Sequence, residues 1–234
     1  QTNVLQAEVT LPPPSPMAQG HFGRFVAVSS NLFVIGFEKK NDQENTSELA
    51  TAYEEDEHGV FRWQTLVVPG VQQLGPSALA HDAKRIAIGA GSPSAAYLFQ
   101  REEEGWSYET NLIPSGISQE IASIAIQGDV IAVGIPGAIS VFEPTTDGWK
   151  ETVINPPPAA PGVVKANFGR SVALENRTLI VGAAGEIRND PGHAYIYTHS
   201  EVGWNLEAEL SPEPYHFIPF GHAVALDAET AIVR

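Results

Sequence analysis

The sequence predicts an all-β fold, a β-propeller of four-stranded antiparallel blades, and three observations predict it. The first is local. From Asn167 to Pro212 the chain reads as four short runs, Phe168–Leu174, Thr178–Ala183, His193–Thr198 and Trp204–Leu210, each alternating or briefly apolar as strands are. Turn signals separate them: Glu175-Asn176, the Gly185–Gly192 loop and Glu201-Val202-Gly203. The second observation is repetition. Phe22-Gly23, Phe168-Gly169 and Phe220-Gly221 open equivalent units, and a glycine follows the first two phenylalanines at equal distance, at Gly36 and Gly182. Counting back from Gly89 and Gly134 places two degenerate units, so units recur at roughly 45–53 residues, the length of a propeller blade. The third is tryptophan: Trp63, Trp106, Trp149 and Trp204 each fall in a fourth strand, at what reads as one place in the repeat.

Taken in order, the chain is one domain spanning 1–234, with repeats starting near 20, 75, 120, 167 and 219. Residues 1–19 hold Leu5-Gln6-Ala7-Glu8-Val9, which matches the fourth-strand segment Leu206-Glu207-Ala208-Glu209-Leu210. The third strands align as Ala50–Tyr53, Ala95–Phe99, Ala138–Phe142 and His193–Tyr197. The last repeat offers two strands, Phe220–Leu226 and Thr230–Val233, with Arg234 where the other units have glycine. Five blades are therefore expected, the fifth incomplete and closed by the N-terminal strand, with the rest of the protein or a second chain as the alternative source of what it lacks. An unfilled gap would expose strand edges. The Pro-rich stretch Asn155–Ala166 is stiff and extended, and it reads as a long connection between blades because the repeat phase continues across it.

The pattern Phe-Gly-x-Ser-Val-Ala-Leu, Leu-Ile-Val-Gly-Ala, Gly-x-Ala-Tyr-x-Tyr, Gly-Trp resembles the FG-GAP repeat of integrin-type propellers. The resemblance is strong in the first and fourth units, partial in the fifth and weak in the second and third. It implies a propeller, and adhesion or assembly as a class of function, without naming a partner, because one fold hosts many functions. It also raises the question of calcium, since integrin-type repeats often carry an Asp-rich loop between the first two strands. Here those turns are Ser29–Asn31, Asp82–Lys84, Gln127–Asp129, Glu175–Arg177 and Asp227–Glu229, none with the alternating oxygen ligands such a site needs.

Composition narrows the function further. A net charge of −15 argues against nucleic acid and anionic membrane surfaces as partners. No apolar run approaches the ~18–20 residues of a membrane-spanning helix, so no membrane insertion is expected. Cysteine is absent, which removes disulfides, thiol nucleophiles and thiolate metal ligands. The seven histidines are scattered, and no nucleophile elbow or phosphate-binding loop appears, so neither catalytic residues, a metal nor a cofactor is expected. The acidic runs Glu54–Glu57 and Glu102–Glu104 read as solvated turns. Asn45 and Asn176 open glycosylation sequons, which matter only in a secreted eukaryotic protein.

Loops point to a working surface. In a four-stranded meander, second-to-third and blade-to-blade loops share one end, and here that end collects Glu38–Leu49, Gly70–Leu74, Pro114–Gln119, Pro156–Ala166, Gly185–Pro191 and Ser211–Pro219. The residue after each Phe-Gly starts an innermost strand at that end. Arg24, Arg170 and His222 occupy this place and form a candidate site for an anion or carboxylate, joined by Tyr215 and His216 in the last long loop. The alternative is that each arginine pairs with an acid in an adjacent blade. Glu120 is the only acid near the expected channel mouth, which argues against the carboxylate pair of a glycosidase. The expected function is non-enzymatic recognition of a glycan or protein ligand by a secreted or cell-surface protein. A structural or assembly module is the second reading, and a polysaccharide hydrolase or lyase the third.

Overall fold

The structure, a computed structural model, describes residues 11, 22–29, 31–37, 46–69, 76–90, 94–116, 120–158, 167–185, 191–212, 220–228 and 230–234. It is all-β. Sheet 1 holds β1 (Phe25–Ser29), β2 (Leu32–Gly36), β3 (Thr46–Glu55) and β4 (Phe61–Pro69). Sheet 2 holds β5 (Pro76–His81), β6 (Arg85–Ala90), β7 (Ala95–Glu102) and β8 (Gly105–Leu112). Sheet 3 holds β9 (Ser123–Gln127), β10 (Val130–Ile135), β11 (Ala138–Thr145) and β12 (Gly148–Ile154). Sheet 4 holds β13 (Phe168–Glu175), β14 (Thr178–Ala183), β15 (His193–Ser200) and β16 (Gly203–Leu210). Sheet 5 is the hairpin of β17 (Val224–Leu226) and β18 (Ala231–Val233). Every sheet is an antiparallel meander in chain order, as the four-run pattern predicts.

Local chemistry explains the boundaries. β13 and β14 are joined by Asn176 and Arg177, both at positive φ (48° and 61°). A two-residue turn of this kind matches the twist of the strands it joins, and asparagine tolerates it better than most residues. Asp82 closes the β5–β6 turn by accepting backbone N–H bonds from Lys84 and Arg85. Asp56 does the same in the β3–β4 turn for His58 and Val60, and these bonds pull its carboxyl below the usual aspartate range. One member of the first acidic run is therefore a turn-maker as well as a solvent-exposed charge.

The sheets stand in a row, with first strand beside first strand: β1 contacts β5, β5 contacts β9, β9 contacts β13, and β13 contacts β17. The core is divided into three layers between successive sheets. Leu32, Val34, Leu66 and Val68 of sheet 1 meet Ile86, Ile88, Tyr97 and Phe99 of sheet 2. Ala87 and Leu98, on the other face of sheet 2, meet Ile131, Val133 and Phe142 of sheet 3 and Ile121 just before it. Ala132, Ile139 and Val141 meet Phe168, Leu179, Val181 and Tyr197 of sheet 4. Each middle strand is thus apolar on both faces, and its alternation separates two interfaces rather than core from solvent. No closure between sheet 5 and sheet 1 is detected among the described residues. The expected N-terminal closing strand lies outside them.

The register corrects one expectation. Trp106, Trp149 and Trp204 lie opposite Arg101, Pro144 and His199, two residues beyond the third-strand aromatics Phe99, Phe142 and Tyr197. Trp63 lies opposite the aromatic itself, Tyr53, and Phe61, opposite Glu55, holds the place that tryptophan has in the other sheets. Counting in the sequence could not see this, because the β3–β4 turn is longer than its counterparts.

Candidate functional site

The Phe-Gly pair does two jobs. The phenylalanine packs inside its own sheet: Phe22 lies against Phe37 and Tyr53 (centroids 6.4 and 6.5 Å), and Phe168 against Tyr195 and Tyr197 (5.6 and 6.4 Å). The glycine serves the neighbour. Gly169 (φ 90°) presents its carbonyl to sheet 3, where Ser123 Oγ donates to it at 2.9 Å. Gly221 (φ 83°) does the same to sheet 4, accepting from Ser171 Oγ at 3.0 Å. Each carbonyl lies where a Cβ on the neighbour's second-strand glycine, Gly134 or Gly182, would stand. The seat needs glycine on both sides. A Cβ on Gly169 would come within 2.6 Å of the carbonyl oxygens of Ile135 and Ala138.

This seating fixes the residue that follows. Arg170 is exposed at the start of β13, and His222 is exposed just before β17, the strand that neighbours β13. Neither forms an ion pair among the described residues. Arg234, which sequence reasoning noted only as a missing glycine, joins them: its carbonyl accepts from the N–H groups of His222 and Ala223. Arg24 is exposed at the start of sheet 1, its guanidinium 5.3 Å from the Phe25 ring centre. The structure thus places Arg170 on β13 and His222 just before the neighbouring β17, while β5 and β9 stand between β1 and β13 in the row and separate Arg24 from them. Tyr215 and His216 lie outside the described residues.

The opposite end of the sheets is chemically different. There Arg101 ion-pairs with Glu54 of sheet 1 and stacks on Trp106, whose indole N–H donates to the same carboxylate at 3.1 Å. Arg85 bonds Glu109 and Asp129, both at 2.9 Å, and lies over Trp149 of sheet 3. His199 packs edge-on against Trp204 and, with Arg177, approaches Glu143 of sheet 3. Each of these three interfaces carries a cation, a tryptophan and a carboxylate drawn from two sheets. Sequence reasoning missed these staples, because the partners lie far apart in the chain and only the pairing register aligns them. A cleft of ≈ 520 Å³ opens between sheets 1 and 2 there, lined by Arg62, Gln64, Glu103 and Trp106 among others. The Gln64 amide clasps the Trp106 backbone, donating to its C=O and accepting from its N–H, both at 2.7 Å.

Among the described residues no group of three or more His, Asp or Glu side chains converges as a metal site. No curated protein matches the sequence. Comparison with protein families agrees with what the seats and aromatic contacts of sheet 4 display: an FG-GAP repeat is found at residues 159–197.

Proposed function

We propose that the five sheets are blades of a β-propeller, the fifth completed by the N-terminal strand, and that the protein is a non-enzymatic recognition module outside the cell, secreted or on its surface. Its ligand is an acidic glycan or glycoprotein, bound at the end where the inner strands start. The observation that carries this reading is the exposed pair Arg170 and His222. In a chain with a net charge of −15, basic groups are scarce, and Arg85, Arg101 and Arg177 are engaged with carboxylates. Arg170 at the start of β13 and His222 just before the neighbouring β17 have no carboxylate partner among the described residues, and the seats before them leave their side chains in solvent. A guanidinium in such a place favours planar anions that accept two parallel hydrogen bonds. Arg24 joins the pair if the ring brings β1 beside β17.

The test is a glycan array carrying acidic and neutral sugars, probed with the purified chain with and without EDTA. Selective binding to carboxylated or sulfated glycans that survives EDTA supports the reading. Binding confined to neutral glycans, or none, sinks it. The second reading, a structural or assembly module, draws on a different observation: the face of sheet 1 turned away from sheet 2 exposes Val26 and Val28.

A further inference from the structure

We infer that the joint between the first strands of sheets 1 and 2 is a pH-sensitive seam: the neutral ring of His81 is packed into it, and a proton on that ring loosens β1 from β5. The inference concerns the packing of sheets and stands apart from the recognition reading.

The register gives His81 its place. It lies opposite Ile86 at the end of β5. Counted from the second-strand glycines, its counterparts are Val28 opposite Phe33, Ile126 opposite Ile131 and Leu174 opposite Leu179. Ile126 packs in the layer toward sheet 2 and Leu174 in the layer toward sheet 3, so this position faces the preceding sheet. Leu79, on the same face of β5 as His81, packs in the layer toward sheet 1. Sheet 2 thus carries a titratable ring where sheets 1, 3 and 4 carry an aliphatic side chain. The residue as a whole is half-buried, but Nδ1 and Nε2 are both shielded from solvent, and neither makes a well-formed hydrogen bond among the described residues.

The groups around the ring give a charge there little support. β5 packs against β1, β2, β6 and β9. β1, β2 and β9 hold no titratable side chain. β6 contributes Arg85, itself a cation and already engaged with Glu109 and Asp129. Asp82, next in the chain, favours the charged ring, but its carboxylate is held in the turn by the N–H groups of Lys84 and Arg85. Burial outweighs Asp82 and the nearby backbone of Ala27, and it holds the ring below its ordinary value of 6.5.

A histidine depressed in this way leaves the joint intact above 6.5. As pH falls below that value the opened joint takes the proton more readily than the closed one, and stability is lost. The outer half of the same joint is fastened by groups that keep their state in this range. Gln64 clasps the Trp106 backbone, and Arg101, paired with Glu54, stays charged. Acid therefore loosens the inner strands while the outer strands hold.

The experiment measures amide hydrogen exchange of the full chain, corrected for intrinsic rates, at about pH 7.5 and about pH 5.5. His81→Leu, which installs the side chain that sheet 4 has at Leu174, is measured beside it. One proton taken up by the open joint alone, against an ordinary value of 6.5, sets the largest change over that range at about tenfold. The expected result is a loss of protection approaching that limit in β1 and β5, with β13 and β14 unchanged and no such loss in the variant. An equal loss in every sheet, the same loss in His81→Leu, or no loss in the unmodified chain overturns the inference. If the variant does not fold, NMR titration of the His81 ring in the unmodified chain takes its place. A midpoint below 6.5 together with the loss in β1 and β5 upholds the seam, and a midpoint at or above 6.5 overturns it.

Discussion

Sheets 1 and 4 begin with the same motif and differ in what lies behind it. In sheet 4, Phe168 packs edge-on against Tyr197, Gly169 is wedged against sheet 3, and Leu174 is 9% exposed. In sheet 1, Phe22 packs on Tyr53 in the same manner, yet a Cβ on Gly23 would meet no described atom within 4 Å, and Val28 is 58% exposed. The phenylalanine thus organises its own sheet, and the glycine organises the joint to the sheet before. The largest effect expected from this division is at the joint. Gly169→Ala forces an L side chain into φ 90° and drives it into two carbonyls, which together cost about 3 kcal/mol or more. Gly23→Ala carries the φ cost alone, about 1 kcal/mol. Urea unfolding of both variants checks this. Equal losses would mean that a glycine-bearing strand seats Gly23 as Gly134 seats Gly169, and the contrast would break.

The apolar residues sharpen the same comparison at smaller scale. Leu174→Ala leaves a cavity between sheets 3 and 4 and should cost about 2–3 kcal/mol. Val28→Ala, at the equivalent place on the open face, should change stability by less than about 1 kcal/mol. The pair is best measured by denaturant midpoint at constant slope, which separates lost contacts from a changed unfolded state.

Much of the fold was legible because the repeat itself carries it. The runs Phe168–Leu174 and Thr178–Ala183 differ from β13 and β14 by at most one residue, since Asn176 and the alternating pattern leave few other registers. What was not legible lies between sheets. Arg85 and Trp149, or Glu54 and Arg101, are brought together by the stacking of separate sheets, and no local pattern marks them. The shifted Trp63 escaped for the converse reason: a composition signal was followed where only pairing register decides. At the candidate site, position was legible and company was not. The places of Arg170 and His222 follow from the motif, but which side chains surround them depends on how sheets 3 to 5 stack.

Glu151 offers a joint that pH can reach. Burial alone would raise its carboxyl, but hydrogen bonds donated by the hydroxyls of Ser115 and Ser140 and by the Ser115 backbone N–H outweigh it and hold the group below its ordinary value of 4.5. Ser115 follows β8 in sheet 2, so the bond ties that connection to sheet 3. A depressed acid contributes stability above its unfolded value and loses it as pH falls through the folded one. Glu151→Gln should therefore cost about 1–2 kcal/mol at neutral pH. The gap to the unmodified protein should close as pH drops below 4.5. A gap that stays constant down to acid would mean that Glu151 contributes by shape rather than charge.

The smallest effect on stability is expected at Arg170, and it carries the functional question. The side chain is exposed and makes no ion pair among the described residues, so Arg170→Ala should shift stability by no more than about 0.5 kcal/mol. If the residue recognises an anion with two parallel hydrogen bonds, the same change should weaken binding to acidic glycans on the order of tenfold or more, since charged hydrogen bonds contribute about 1.5–3 kcal/mol each. Arg170→Lys keeps the charge and loses the fork, so it should recover only part of the affinity. Arg85→Ala is the contrasting control. Its guanidinium bonds Glu109 and Asp129 between sheets 2 and 3, and its loss should lower the melting temperature while leaving glycan binding intact. If Arg170→Ala unfolds the chain as readily as Arg85→Ala, the residue is a fastener and the two ends of the blades are not chemically distinct. If it spares both fold and binding, the ligand enters elsewhere, and the cleft beside Arg62 and Trp106 becomes the next place to test.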